Sequence, residues 1–113
     1  MSYQLYVMDG HWKEENSKIA QVEPHQEGGT IVVGGTSDAE LNITYNYYKI
    51  FDMKILNGKT CKDCIEWLEQ IVNILGTEQD EDYWSVTNGN VGYCLSVILS
   101  WCKQHPNGTI AIH

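Results

Sequence analysis

Thr60-Cys61-Lys62-Asp63-Cys64-Ile65-Glu66-Trp67-Leu68-Glu69-Gln70-Ile71-Val72-Asn73-Ile74-Leu75-Gly76 decides how this chain folds. Cys61, Cys64, Ile65, Leu68, Ile71, Val72 and Leu75 recur at helical spacing, so on a helix they form one apolar stripe. Thr60 is a good N-cap, and Asp63 gives the shape of a capping box with Asp in place of Glu. Gly76 stops the helix. An amphipathic helix of this kind needs an apolar surface to lie on, and the rest of the chain must supply it.

Downstream, the acidic loop of Glu78, Asp80, Glu81 and Asp82 leads to a second helix that opens between Thr87 and Asn90. Val91, Cys94, Leu95, Ile98 and Cys102 form its predicted buried stripe, and it ends at His105 because Pro106 cannot continue it. Pro106-Asn107-Gly108 turns the chain, and Thr109 to Ile112 reads as a last short strand.

Upstream, Tyr3 to Met8 alternates around Leu5 and Val7 as a first strand, with a turn at Asp9-Gly10 and a second strand near Lys18 to Val22. Gly28-Gly29 and Gly34-Gly35 bracket a short strand over Thr30 to Val33. Leu41 to Tyr48 reads as a further strand, with Ile43, Tyr45 and Tyr47 on one face and Asn42, Thr44, Asn46 and Tyr48 on the other. The predicted class is α+β: a small, mostly antiparallel sheet with two helices packed on one face, in a single domain over residues 1–113. A sheet this small leaves an edge that a second copy of the chain could cover, giving a homo-oligomer.

The totals restrict what such a domain does. Acidic residues outnumber basic ones 15 to 7, for a net charge of −8, and no arginine is present. An anionic surface repels polyanions, and Arg is the residue that grips phosphate and guanine bidentately. A broad nucleic-acid surface is therefore excluded, although a single nucleotide is not. No apolar run is long enough for a membrane span and no signal-peptide pattern opens the chain, which predicts a cytoplasmic protein with reduced thiols.

The chemical motifs are weak. Cys61-Lys62-Asp63-Cys64 has thioredoxin-like spacing at a helix start, but no βαβ run precedes it and neither Pro24 nor Pro106 is placed for a cis-proline beside the thiols. Cys94 and Cys102 lie two helical turns apart, about 12 Å, too far to complete a zinc site with the first pair. His11, His25, His105 and His113 have no metal-ligand spacing, and the acidic run lacks the calcium-loop pattern. No metal, cofactor or catalytic residue is predicted.

Two segments are richer in rings and amides than a core or loop requires: Asn42-Ile43-Thr44-Tyr45-Asn46-Tyr47-Tyr48 and Asp82-Tyr83-Trp84-Ser85-Val86-Thr87-Asn88-Gly89-Asn90. Flat rings beside hydrogen-bonding groups suit a small polar ligand. The predicted site has Tyr45 and Trp84 stacking on a ring and Thr44, Asn46, Thr87 and Asn90 bonding its edges. His25, Thr30 and Lys59 are candidates for an anionic group.

These segments, with Met1-Ser2-Tyr3, Glu23-Pro24-His25, Gly28-Gly29-Thr30, Gly34-Gly35-Thr36 and Leu56-Asn57-Gly58-Lys59, resemble a family of small phage and prophage proteins over nearly the whole chain. Asn42-Ile43-Thr44-Tyr45-Asn46-Tyr47 is the most distinctive piece. The chain departs from the family at Val91, where Ala is more frequent, and over Thr109 to His113, where Asp is frequent. The resemblance implies a phage setting and no particular reaction. In that setting the leading reading is a non-enzymatic accessory protein that binds a small polar, nucleotide-like ligand and sequesters a host defence signal. The alternative is an acidic protein that binds and inhibits a host defence protein, with Glu78 to Asp82 and exposed tyrosines at the contact. An enzyme comes third, because no nucleophile–base pair is visible.

Overall fold

A computed structural model describes residues 2–10, 18–22, 31–32, 38–82 and 85–113. The elements are β1 (Ser2–Asp9), β2 (Lys18–Ile19), β3 (Ile31–Val32), β4 (Glu40–Thr44), α1 (Cys61–Leu75), α2 (Asn88–Gln104) and β5 (Thr109–Ile112). Two short 3-10 turns, Tyr45–Lys49 and Met53–Leu56, join β4 to α1. The fold is the predicted α+β arrangement, with an antiparallel five-stranded sheet and two helices packed against each other.

β1 is the hub of the sheet. β5 pairs along one edge, with Leu5 opposite Ile112 and Val7 opposite Ile110. On the other edge β4 pairs with the first part of β1, with Ser2 opposite Thr44 and Leu5 opposite Leu41. β2 takes the end of β1 and is bridged to the approach to β4 through Gln21 and Asp38. β3 pairs with β4 on its far side. The alternation of β1 does what the pattern requires: Leu5 and Val7 are fully buried with Leu41, Ile43 and Ile110, while Gln4, Tyr6 and Met8 face outward. On that outer face Asn42 donates to Ser2 Oγ (2.9 Å) and Gln4 Oε1 (3.0 Å), so the amide meets the neighbouring strand β1.

α1 begins and ends where the sequence places it. Gly76, at φ 77°, is its C-cap, and its amide donates to the Val72 carbonyl. At the other end the Thr60 side chain makes no capping bond. Instead the Cys61 and Lys62 amides donate to the carbonyls of Gly108 and Pro106, each at 2.9 Å. The chain just before α1 runs along the outer edge of β5, through Gly58 N to Ile110 O (2.7 Å) and Ile110 N to Lys59 O (2.9 Å). That edge is covered from within the chain.

α1 buries Cys61, Cys64 and Leu68 and exposes Glu66, Glu69 and Gln70. α2 is buried far more broadly: Val97, Leu99 and Trp101 join the predicted stripe of Val91, Cys94, Leu95, Ile98 and Cys102. A helix apolar on most sides needs neighbours on most sides. α1, the core face of the sheet, and Tyr47, Met53 and Leu56 of the 3-10 turns belong to the same buried cluster. Gly92 permits a close approach of α2 to the end of α1. A Cβ there would overlap the Gly76 carbonyl and stand 3.1 Å from Leu75 Cβ. One exposed ion pair, Lys103 to Glu69 at 2.9 Å, links the two helices and adds little.

The predicted strand over Leu41 to Tyr48 is corrected by the structure. It stops at Thr44, and Tyr45–Lys49 is a 3-10 turn. Thr44 pairs with Ser2, the first described residue of β1. Thr44 Oγ1 then accepts from the Asn46 amide at 3.3 Å and caps the turn. The turn also breaks the expected sharing of one face by Tyr45 and Tyr47: Tyr47 is fully buried and Tyr45 is 40% exposed.

Candidate functional site

The two ring-and-amide segments come together at Tyr47. Its ring is sealed in the core, and the Cys94 thiol and Asp82 carboxylate lie close enough to act on its hydroxyl. Burial first, then Cys94 and Asp82, push that hydroxyl above its ordinary value near 10. The charge of Asp82, in the loop ahead of α2, is thus felt at the buried end of the 3-10 turn. Around it, Tyr45, Asn46 and Tyr48 are exposed. The Tyr45 ring leans on Tyr3, with centroids 4.4 Å apart.

The polar candidates divide by what they bond. Thr44 is spent on the Asn46 amide. Thr87 Oγ1 accepts from the Asn90 amide at 3.1 Å and is the N-cap of α2. Asn90 is fully buried. Its Oδ1 accepts from the Asp80 amide (2.9 Å), and its Nδ2 donates to the carbonyls of Asp82 (3.1 Å) and Ser85 (2.9 Å). Asn90 therefore organises the loop, with both ends of its amide engaged. Asn46 keeps an exposed side chain. Trp84, His25 and Thr30 lie outside the described residues, as do the Gly28-Gly29 and Gly34-Gly35 turns.

Lys59 is exposed and lines a hollow of about 460 Å³ with Gly58, Thr60, Asp63, Cys64 and Trp67. None of the other candidates among the described residues lines it. The first amides of α1 are already bonded to Pro106 and Gly108, and Asp63 adds a negative charge, so this hollow is poorly made for an anion. A second hollow, about 380 Å³, lies between the end of α1 and the start of α2, lined by Gly76, Glu78, Gln79, Asp80, Thr87 and Gly89 among others. Glu78, Gln79, Asp80, Glu81 and Asp82 are all exposed.

All four cysteines are free and buried. The described residues contain no group of three or more His, Cys, Asp or Glu side chains arranged to hold a metal ion. None of their helices is long and apolar enough to cross a membrane.

Sequence reading missed three features of this region. Tyr3 joins it through the register of β1 on β4, which sets Tyr3 opposite Ile43. The meeting of Tyr47 with Asp82 is tertiary and has no local signal. The bonds of Asn90 could have been suspected only from its place in the first turn of a helix that follows a polar loop. Comparison with known proteins adds no neighbour: no family model matches the chain, and neither do curated proteins or solved structures.

Proposed function

We propose that this chain is a non-enzymatic binding protein that engages a positively charged surface of a host protein. The contact would be made by the tyrosine turn at Tyr45 and Tyr48 together with the acidic loop from Glu78 to Asp82. The observation that carries this reading is that the exposed residues Tyr45 and Tyr48 flank the buried Tyr47, whose hydroxyl lies within range of the charge of Asp82 in the exposed acidic loop. Tyrosines supply contact area at low entropic cost, and a cluster of carboxylates steers a basic partner. The net charge of −8 works in the same direction over longer range. The resemblance to phage proteins suggests a bacterial protein as the partner.

Binding of a small nucleotide-like ligand is the second reading, favoured by the packing of the exposed Tyr45 ring on the half-buried Tyr3 beside Asn46. It loses support because Thr44, Thr87 and Asn90 bond within the chain. Two arms of one experiment separate the readings. Tagged protein is used to retain partners from host lysate at low and high salt, and is also heated with extract filtered free of macromolecules. The protein reading expects a basic protein released by salt and lost in a Glu78→Lys, Glu81→Lys, Tyr48→Ala variant, with no thermal shift from filtrate. A thermal shift with filtrate and no retained protein would reverse the order.

A further inference from the structure

The outer face of the sheet carries a hollow that neither reading uses. It measures about 320 Å³ and is lined by Tyr6, Met8, Ile19, Ala111 and His113. Small-molecule pockets run from about 300 to 1,000 Å³, so it has room for one ring system. The register of three strands brings its walls together. Tyr6 and Met8 face outward as alternate residues of β1. Ala111 stands opposite Tyr6 on β5, and Ile19 stands opposite Met8 on β2. Ala111 is the short side chain among longer ones and leaves the floor open. His113, just past β5, is fixed by two backbone bonds: its amide donates to the Gln4 carbonyl at 2.8 Å, and the Gln4 amide donates back at 3.1 Å. The His113 ring meets that of Tyr6 edge to face, with centroids 5.7 Å apart.

The charge beside this hollow has one sign. Glu40 stands opposite Tyr6 on β4, is half-buried, and accepts from Gln4 Nε2 at 3.3 Å. Burial first, then the Glu40 charge, raise the Tyr6 hydroxyl above its ordinary value. Glu40 makes no ion pair among the described residues. Asp9 and Lys18, opposite each other one residue further along, alternate to the other face.

We propose that this hollow binds a small aromatic amine, its ring seated over Ala111 between Met8, Ile19 and the Tyr6–His113 pair, and its ammonium group turned towards Glu40. A flat ring suits the walls, because a thioether, an aliphatic side chain and tilted rings all pack well against a π face. A cation suits the charge. The Glu40 carboxylate lies one strand spacing from β1, about 4.8 Å, a step that a two-carbon arm between ring and nitrogen can span. The Tyr6 ring adds its own attraction for an ammonium group. Over longer range the net charge of −8 draws cations and repels anions. Neither Tyr45, Tyr48 nor the loop from Glu78 to Asp82 lines the hollow, so this site stands or falls apart from the partner contact.

The test is an NMR titration of the full chain, labelled at the methionine methyl groups, at low salt. Phenethylamine is the probe and phenylacetate its anionic counterpart. Met8 reports on the hollow, and Met53, buried in the core, reports on the fold. The expected result is a saturable shift of the Met8 methyl with Met53 unmoved. A Kd on the order of 1 mM is expected for a ligand of about nine non-hydrogen atoms in an open hollow. Phenylacetate should bind at least about fivefold more weakly, and Glu40→Gln should remove most of that difference. Ala111→Leu, which fills the floor, should abolish the Met8 shift, while a native Met53 resonance shows that the variant is folded. A Met8 methyl that stays still up to about 20 mM amine, well above that Kd, overturns the proposal. So does equal binding of phenylacetate, or a folded Ala111→Leu variant that binds as wild type does. The first two results are read on the unmodified sequence and need no variant to fold.

Discussion

Replacing Asn90 by Asp tests the account of the loop most severely, because it changes one side-chain group and almost no volume. In the native chain Oδ1 accepts from the Asp80 amide, and Nδ2 donates to two carbonyls, those of Asp82 and Ser85. The Asp carboxylate keeps the first bond and turns the other two into oxygen facing oxygen. The site is fully buried. Two lost bonds at about 0.5–1.5 kcal/mol each, plus the cost of desolvating unpaired acceptors, come to roughly 2–4 kcal/mol at neutral pH. Asn90→Ala loses all three bonds but brings in no charge, and water reaching the exposed loop can satisfy part of what it leaves. It should cost about 1–3 kcal/mol.

The two variants also differ in their response to pH. Desolvation and repulsion by the facing carbonyls raise the folded-state pKa of the introduced carboxyl above its unfolded value, about 3.9. The native state then binds the proton more tightly than the unfolded state. The deficit against wild type is therefore largest above the folded pKa and shrinks as pH falls towards the unfolded value, where the protonated acid regains one donor. Urea unfolding followed by tryptophan fluorescence, from pH 4 to pH 8, reads this directly as a change in midpoint. An Asp variant within about 0.5 kcal/mol of wild type at pH 7, or a deficit that does not narrow on acidification, would refute the role assigned to Asn90.

Gly92→Ala should destabilise despite its gain in helix propensity of about 1 kcal/mol, because the new methyl would overlap the Gly76 carbonyl. A net loss of roughly 1–3 kcal/mol, read as a lower urea midpoint, is expected, and an unchanged midpoint would mean the helices do not cross this closely. For Tyr47, the raised hydroxyl pKa predicts stability that is complete below pH 10 and is lost as pH rises through the unfolded value towards the folded one. An ultraviolet titration should leave Tyr47 protonated until the chain unfolds, and Tyr47→Phe should flatten the alkaline loss of stability. A Tyr47→Phe curve that falls like wild type above pH 10 would contradict this.

The parts of the fold that could be read in the chain are those fixed by neighbours in sequence. α1 was legible because Gly76 and the periodic apolar residues act within a few positions of where they stand, whereas the bonds at its start come from Pro106 and Gly108 and not from the Thr60 side chain. β1 and β5 were legible because alternation and a proline-glycine turn are local too. The segment from Tyr45 to Tyr48 was not, since its alternation continues past Thr44 while the strand cannot. There Thr44 Oγ1 takes up the Asn46 amide and the chain turns into a 3-10 helix. Val97, Leu99 and Trp101 likewise lie outside the predicted stripe of α2, because burial there depends on what surrounds the helix. At the candidate site, Tyr45 and Asn46 stand exposed as a binding role requires, whereas Thr44, Thr87 and Asn90 are engaged in capping and loop bonds. A capping hydroxyl and a ligand-binding hydroxyl look the same in sequence.

That division of labour also explains why the acidic loop can be all charge on the outside. A run of exposed carboxylates repels itself and has no apolar side chains with which to anchor its backbone. Here the anchoring is done by the next helix. Asn90 holds the Asp80 amide and the Asp82 carbonyl from below, and Ser85 Oγ donates to the Asp82 carboxylate at 3.3 Å. The Asp80 carboxylate accepts from the Asp82 amide at 3.0 Å and tightens the turn further. A loop held this way loses little conformational freedom when something binds it, so its charge can be spent on a partner rather than on ordering. The prediction for Asn90 therefore reaches past stability. Asn90→Ala should weaken capture of a basic partner even though Asn90 is buried and cannot touch it. Glu81, which makes no side-chain hydrogen bond among the described residues, should matter to the partner and not to the fold.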